Sequence, residues 1–291
     1  MRISFYVNET KAAARAAAEC LASRAVEFGL EVVPRSAGVP SSAGSAQELL
    51  VALGGDGTIL RCVHERPGVP VLGFNLGGLG YLSSVEKKDF DRALALLAGG
   101  RYRIAERTML SLSLRAEGRT SGPVAAPQAL NDIVITREMT GHAAMIDLSV
   151  DGHRATRYLA DGLVIATPTG STAYSLSAGG PVVMPDARSF VITPMNPHAL
   201  GIRPQVVADS SRLVINAISR DSACASRRGV ATEPGAAALG VYADGEPVAM
   251  LSAGESVEIS KSKQVAKFVE LEGYDPYAVL AHKLGWAGTT L

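Results

Sequence analysis

Hydrophobic positions along the chain follow two different rhythms. In the first hundred residues, short apolar runs alternate with stretches of helical spacing. Ile3-Ser4-Phe5-Tyr6-Val7 reads as a strand. Lys11 to Phe28 is Ala-rich, with charges at Lys11, Arg15, Glu19 and Arg24, and predicts an amphipathic helix closed by Gly29. Further strands are predicted from Glu31, at Leu49 to Leu53 and at Val69 to Phe74. Further helices are predicted at Ile59 to Glu65 and Asp89 to Leu97, and Pro34 to Gln47 reads as a loop. Strands alternating with helices imply an α/β region with a Rossmann-like parallel sheet and right-handed crossovers.

Near Gly99 the rhythm changes to short alternating runs separated by turn residues. Strands are predicted at Thr108 to Arg115, Ala129 to Thr136, Ala144 to Val150, Leu163 to Ala166, Phe190 to Thr193, Leu213 to Ile218, Leu239 to Ala243 and Ser256 to Ile259. Arg115 to Gln128 and Ser219 to Ala238 read as loops, and Pro276 to Leu284 as a closing helix. The expected organisation is an α/β domain over residues 1–102, a mostly β domain over 103–265, and a tail over 266–291.

Composition narrows the function. With 47% hydrophobic residues in 291, the chain can build a large core, which argues against disorder. The 28 basic residues balance 28 acidic ones, so no nucleic-acid partner or polybasic membrane surface is expected. Cys20, Cys62 and Cys224 are scattered and odd in number, forming neither a metal cluster nor a disulfide framework. That cysteine usage leads us to expect a reducing cytosol, and Met1 to Val7 reads as a strand-like run with no basic start followed by an apolar block. The most apolar long stretch, Gly162 to Pro185, is broken by Pro and Gly and reads as no membrane helix.

The first chemical signal is Gly54-Gly55-Asp56-Gly57-Thr58, between a strand and a helix. Glycines there let a phosphate approach the backbone, and the helix start offers free N–H groups and a favourable dipole. A carboxylate among phosphates is costly unless it moves a proton or binds a metal, so Asp56 points to acid/base or metal chemistry. The alternative is a tight turn with Asp56 as helix N-cap. No G-x-x-x-x-G-K-[ST] and no G-x-G-x-x-G occur, which excludes a P-loop and weakens an ordinary dinucleotide-binding dehydrogenase. A second glycine cluster, Gly73 to Gly80, also follows a strand and would share the carboxyl edge of the same sheet.

The most distinctive stretch is Asp161 to Tyr174, a strand running into the hydroxyl-rich turn Thr167-Pro168-Thr169-Gly170-Ser171-Thr172. Its hydroxyls suit sugars and phosphates, and Tyr174 suits stacking on a base; the alternative is a Ser/Thr-rich turn with a buried Tyr.

With Asn131-Asp132, Gly179-Gly180-Pro181, Thr193-Pro194, Pro197-His198, Arg203-Pro204, Asp244-Gly245 and Lys283-Leu284-Gly285-Trp286, these motifs resemble the NAD kinase family from Leu49 onward. The resemblance implies an α/β domain and a β-sandwich domain that together make the nucleotide site, with the tail returning to the first. It implies phosphoryl transfer from ATP, or another donor such as polyphosphate, with a divalent metal such as Mg2+, to the 2′-hydroxyl of the adenosine ribose of NAD. Asp56 then looks like the general base, Gly57 a backbone contact and Arg61 a phosphate contact, though Arg61 reads equally as an exposed helix cation. Asn131 and Asp132 match the pair that contacts ribose and adenine, and otherwise read as a strand-initiating turn. Asp161 matches the carboxylate holding the nicotinamide part. Thr172, Ala173, Tyr174, Ser175, Leu176 and Ser177 match the adenine side. Asp244 and Glu246 match a further ligand-side segment, and His142 a position found in some members. His198 reads as structural. A homodimer or homotetramer is implied as well. Two other readings stand beside it: a lipid or sphingoid-base kinase sharing the glycine–Asp turn, and a silent NAD-binding sensor.

Overall fold

The computed structural model describes residues 1–7, 12–33, 48–77, 80–116, 119–120, 127–138, 143–218 and 239–286. The loops expected over 34–47 and 219–238, Gly78, Leu79, His142 and Cys224 lie outside the described residues. The chain divides into two compact units, Met1–Glu106 with Ala266–Leu291, and Arg107–Val265.

The first unit opens with β1 (Arg2–Val7), α1 (Ala12–Glu27), β2 (Glu31–Val32), β3 (Glu48–Leu53), α2 (Asp56–Glu65), β4 (Val71–Asn75), β5 (Val85–Glu86) and α3 (Phe90–Ala98). Strands β2, β1, β3 and β4 lie side by side and parallel, with Ile3 opposite Leu49 and Leu50 opposite Val71. Parallel strands covered on both faces read as continuous apolar runs, and β3 and β4 are buried at all but Glu48. Helix α3 buries Phe90, Ala93, Leu94 and Leu97, the spacing of one helix face, and Phe90 stacks on Phe74 of β4 with ring centres 4.6 Å apart. Each large side chain buried this way contributes about 1.5–3 kcal/mol.

The second unit follows along β6 (Tyr102–Ala116), β7 (Arg119–Thr120), β8 (Gln128–Ala129), β9 (Asp132–Arg137), β10 (Ala144–Val150), β11 (His153–Ala160), β12 (Gly162–Ala166), α4 (Tyr174–Ser177), β13 (Ser189–Met195), β14 (Gln205–Ala208), β15 (Leu213–Ile218), β16 (Leu239–Ala243), β17 (Glu246–Leu251) and β18 (Ser256–Leu271). The chain crosses between units within β6 and again within β18. One antiparallel sheet of this unit runs β14-β13-β12-β9-β16-β17; the other contains β11, β10, β15 and the start of β18. Ile133, Ile165 and Ile192 of the first sheet share one buried core with Ile146, Ile215 and Ile259 of the second, so the two sheets pack as a sandwich. Past Val265, Phe268 of β18 pairs in parallel with Val71 of β4, and α5 (Pro276–Lys283) closes the described chain.

Two segments differ from expectation. Arg115 to Gln128 is not wholly loop, because β6 continues through Ala116 and β7 folds back on it, Arg115 facing Thr120. Strand β18 runs to Leu271, far beyond Ile259. Its middle carries Ser, Lys and Gln with no apolar alternation to mark it. Among the described residues no helix is long and apolar enough to cross a membrane.

Candidate active site

In the first unit the chain leaves β3 through Gly54 and Gly55 and enters α2 at Asp56. The helix N-cap is Gly55, in extended conformation, and no side chain caps it. Asp56 is therefore the first helical residue, not the N-cap weighed above. Its carboxylate reaches across to the turn after β4. The Tyr81 N–H donates to Oδ2 at 2.8 Å and the Leu82 N–H to Oδ1 at 3.0 Å. Contact is so close that a Cβ on Gly80 would stand 1.8 Å from Asp56 Oδ1, so only glycine fits there. The parallel sheet thus brings its two glycine-rich strand ends together at the carboxyl edge, where such sheets hold ligands.

Gly57 and Arg61 lie exposed on the first turns of α2. Exposed helix-start glycines leave backbone N–H groups open to an anion. The Tyr81 hydroxyl is held above its ordinary pKa, first by burial and then by the nearby Asp56 charge. Lys283 of α5 sits 5.6 Å over the Tyr81 ring, a cation–π contact.

In the second unit the predicted residues gather at one end of β9 and β12. Asp132 opens β9 and Ala166 ends β12, the two being register partners. The hairpin turn Asp244-Gly245, with φ of 49° and 86°, joins β16 to β17. Asp244 uses its carboxylate on backbone: it accepts from the N–H groups of Leu130 at 2.7 Å, Asn131 at 2.7 Å and Asp132 at 3.1 Å. Asp132 is 5% exposed. Its carboxyl is pushed up to about 7 by burial first and the Asp244 charge second, against a hydrogen bond from the Tyr174 N–H. Glu246 is exposed at the start of β17.

The hydroxyl-rich turn is largely committed to its own fold. Thr167 Oγ1 donates to the Leu130 carbonyl at 2.6 Å and accepts from the Gly170 N–H at 3.0 Å. Ser171 Oγ donates to the Pro168 carbonyl at 2.7 Å, and Ser175 Oγ shares a 2.8 Å bond with Thr193 Oγ1, both serines fully buried. A Cβ on Gly170 would stand 1.9 Å from the Asn131 carbonyl oxygen, so this turn and the Asn131 backbone are in direct contact. Thr172 donates to the Thr169 carbonyl, Ala173 and Leu176 are half-buried, and Ser177 is exposed. Tyr174 is 44% exposed, so of the two readings of this residue the buried one fails.

Asp161 is not brought to this cluster. It precedes β12, at the other end of the strand, roughly 17 Å away at about 3.3 Å per residue. There Arg137 Nε donates to its Oδ1 at 2.7 Å and Asn196 Nδ2 to its Oδ2 at 2.9 Å. Asn196 first, then the Arg137 guanidinium, holds the Asp161 carboxyl below its usual range. His198 anchors its loop through an N–H bond to the Leu159 carbonyl.

Sequence reasoning missed Tyr81 and Leu82 because their contribution is backbone N–H, to which side-chain identity is blind. Arg137 was missed because nothing in the sequence marks it as opposite Asp161. Among the described residues no group of three or more His, Cys, Asp or Glu could hold a metal ion. A hard cation bound chiefly through substrate phosphates and water needs no such group.

Comparisons with known proteins agree with one another. Residues 14–102 match the model of the ATP-NAD kinase N-terminal domain, and residues 130–271 that of the ATP-NAD kinase C-terminal domain. An NAD kinase of Symbiobacterium thermophilum is 39% identical over 239 residues, covering 81% of this chain and 78% of the relative. One of Heliobacterium modesticaldum is 34% identical over 279 residues, covering 93% and 92%. Among solved structures, yeast NADH kinase complexed with NADH superposes with a TM-score of 0.78 at 25% identity, covering 100% of this chain and 89% of that one. An NAD kinase from Archaeoglobus fulgidus in complex with ATP gives 0.74 at 24% identity, covering 99% and 100%, a likeness of fold.

Proposed function

The chain belongs to the NAD kinase family and phosphorylates NAD with ATP; we propose that the acceptor is the 2′-hydroxyl of the adenosine ribose, giving NADP, with Asp56 as the general base. A ribose hydroxyl is a weak nucleophile, and its proton must leave as the new phosphorus–oxygen bond forms. Asp56 takes that proton while the leaving phosphate of the donor departs on the far side of the transferred group. The observation that carries this reading is the setting of the carboxylate. Both oxygens are fixed by backbone N–H groups, and each keeps a further lone-pair site for a substrate hydroxyl.

The other roles follow from placement and charge. Gly57 and Arg61 serve phosphate oxygens at the start of α2. Asn131, Asp132 and the Thr172–Ser177 segment serve the adenosine, with Tyr174 offering an exposed ring for stacking. Asp244 acts on the ligand through the backbone it holds, and Glu246 lies beside that turn. We assign Asp161 to the nicotinamide part. Mg2+ or a similar divalent cation would be held by the donor's phosphates and water, and when bound it supplies neutralisation of the phosphate charge. The cytosol supplies both substrates. The same reading carries a homodimer or homotetramer.

The test is an NADP-forming assay with MgATP, other triphosphates and polyphosphate as donors and NAD or NADH as acceptor. Wild type makes NADP. Asp56→Asn keeps the side-chain volume, gives up one of the two backbone N–H bonds because its NH2 cannot accept, and loses about 10²–10⁴-fold in turnover, the usual worth of a positioned base. Full activity in Asp56→Asn refutes the assignment.

A further inference from the structure

The turn after β4 is built more strictly than a connection requires. Ser83 is 1% exposed and Asn75 4%. Ser83 Oγ accepts from the Gly80 N–H at 2.7 Å and from Asn75 Nδ2 at 3.1 Å. Asn75 Oδ1 in turn accepts from the Gly77 N–H at 2.8 Å. These side chains tie Asn75, the last residue of β4, to Gly77 and Ser83, and Ser83 to Gly80. Buried hydrogen bonds of this kind do not exchange with water, so they fix a backbone path. The N–H groups exposed by that path, at Tyr81 and Leu82, go to the two oxygens of Asp56.

We propose that Ser83 and Asn75 are positioning residues for the phosphoryl transfer, holding the Gly80–Ser83 backbone whose N–H groups at Tyr81 and Leu82 aim the Asp56 carboxylate. The proposal rests on the general-base reading of Asp56. A carboxylate held by one donor can still rotate about its terminal torsion; held at both oxygens by the N–H groups of two adjacent residues, it cannot. Such restraint matters because a displacement of about 1 Å in a reacting group can cost on the order of 100-fold in rate. Neither Ser83 nor Asn75 need touch substrate to exert this effect.

The experiment compares wild type, Ser83→Ala, Asp56→Asn and the double variant in the NADP-forming assay. Ser83→Ala is expected to lose about 10- to 100-fold in kcat while the KM values for NAD and ATP stay within about twofold, as for an interaction that matters in the transition state. In the Asp56→Asn background the same change is expected to cost less than about twofold, because its effect passes through that carboxylate. Equal fold losses in both backgrounds would overturn the proposal, as would a crystal structure of Ser83→Ala with Asp56 still on both N–H groups and activity lost. A fully active Asp56→Asn sinks the general base and this proposal with it. A slow Asp56→Asn beside a fully active Ser83→Ala sinks the positioning role alone. If Ser83→Ala does not fold, Ser83→Cys preserves the volume with a poorer acceptor and is read by the same outcomes.

Discussion

Asp56 and Asp132 are both carboxylates at turns beside strands, and the two units treat them in opposite ways. Asp56 is half-exposed and has a backbone N–H on each oxygen. Asp132 is buried, receives the Tyr174 N–H, and faces the charge of Asp244. Asp244, its neighbour, takes three backbone N–H groups of the Leu130–Asp132 turn. The difference teaches that an acidic residue in a turn has several possible tasks. Asp244 builds the turn, Asp132 is shielded from water at some cost, and Asp56 stays half-exposed with a backbone N–H on each oxygen.

The contrast is broken most severely at Asp244. Asp244→Ala strands three backbone N–H groups, each worth about 1–3 kcal/mol when buried and unmet. It also puts alanine at a φ of 49°, a conformation that Asp tolerates better than alanine. The expected loss is several kcal/mol, read from denaturant unfolding, whereas Asp56→Ala should cost much less. Equal losses would mean that Asp56 is as structural as Asp244.

Next comes the pH response of Asp132. Its folded pKa, about 7, lies above the ordinary carboxyl value of 3.8. Between those values the folded protein holds a proton that the unfolded chain releases. The stability this group contributes is therefore fully present below about pH 4 and lost as pH rises through about 7. Asp132→Asn removes the ionisable group and keeps an acceptor for the Tyr174 N–H. It should gain on wild type by a few kcal/mol at pH 8 and lose that advantage near pH 4, at about 1.4 kcal/mol per pH unit. Thermal unfolding across that range measures it, and a difference independent of pH would contradict the burial argument.

The smallest effect is expected at Tyr174. Its exposed ring contributes little to the fold, so Tyr174→Ala should leave the unfolding midpoint nearly unchanged. Loss of stacking on a base is worth about 1–3 kcal/mol, so NAD binding by calorimetry should weaken by roughly tenfold or more. Unchanged affinity would remove Tyr174 from the adenosine site.

Much of this fold is legible in the sequence because the central strands announce themselves. Runs such as Leu49 to Leu53 and Leu163 to Ala166 are apolar throughout, and both are fully buried. The strands that went unread are the edges. β11, β14 and β17 each end a sheet, and their exposed faces carry residues such as Arg154, Val206 and Glu246 that obey no burial rule. The site divides in the same way. Asp56 could be singled out because its charge conflicts with its glycine-rich setting, and the NAD kinase motifs stood out by their order along the chain. The partners of Asp56 could not be read, since Tyr81 and Leu82 act through N–H groups that every residue but proline possesses. Nor could the sequence separate the hydroxyls of Thr167, Ser171 and Ser175, spent on the turn itself, from groups free to meet a ligand.

The most direct measurement is a crystal structure with NAD and a triphosphate that cannot transfer its terminal phosphate. The account predicts the 2′-oxygen of the adenosine ribose about 2.6–3.2 Å from a carboxylate oxygen of Asp56, with the Tyr81 and Leu82 N–H groups still in place. A ribose bound with that oxygen far from Asp56, with no water linking the two, would contradict it.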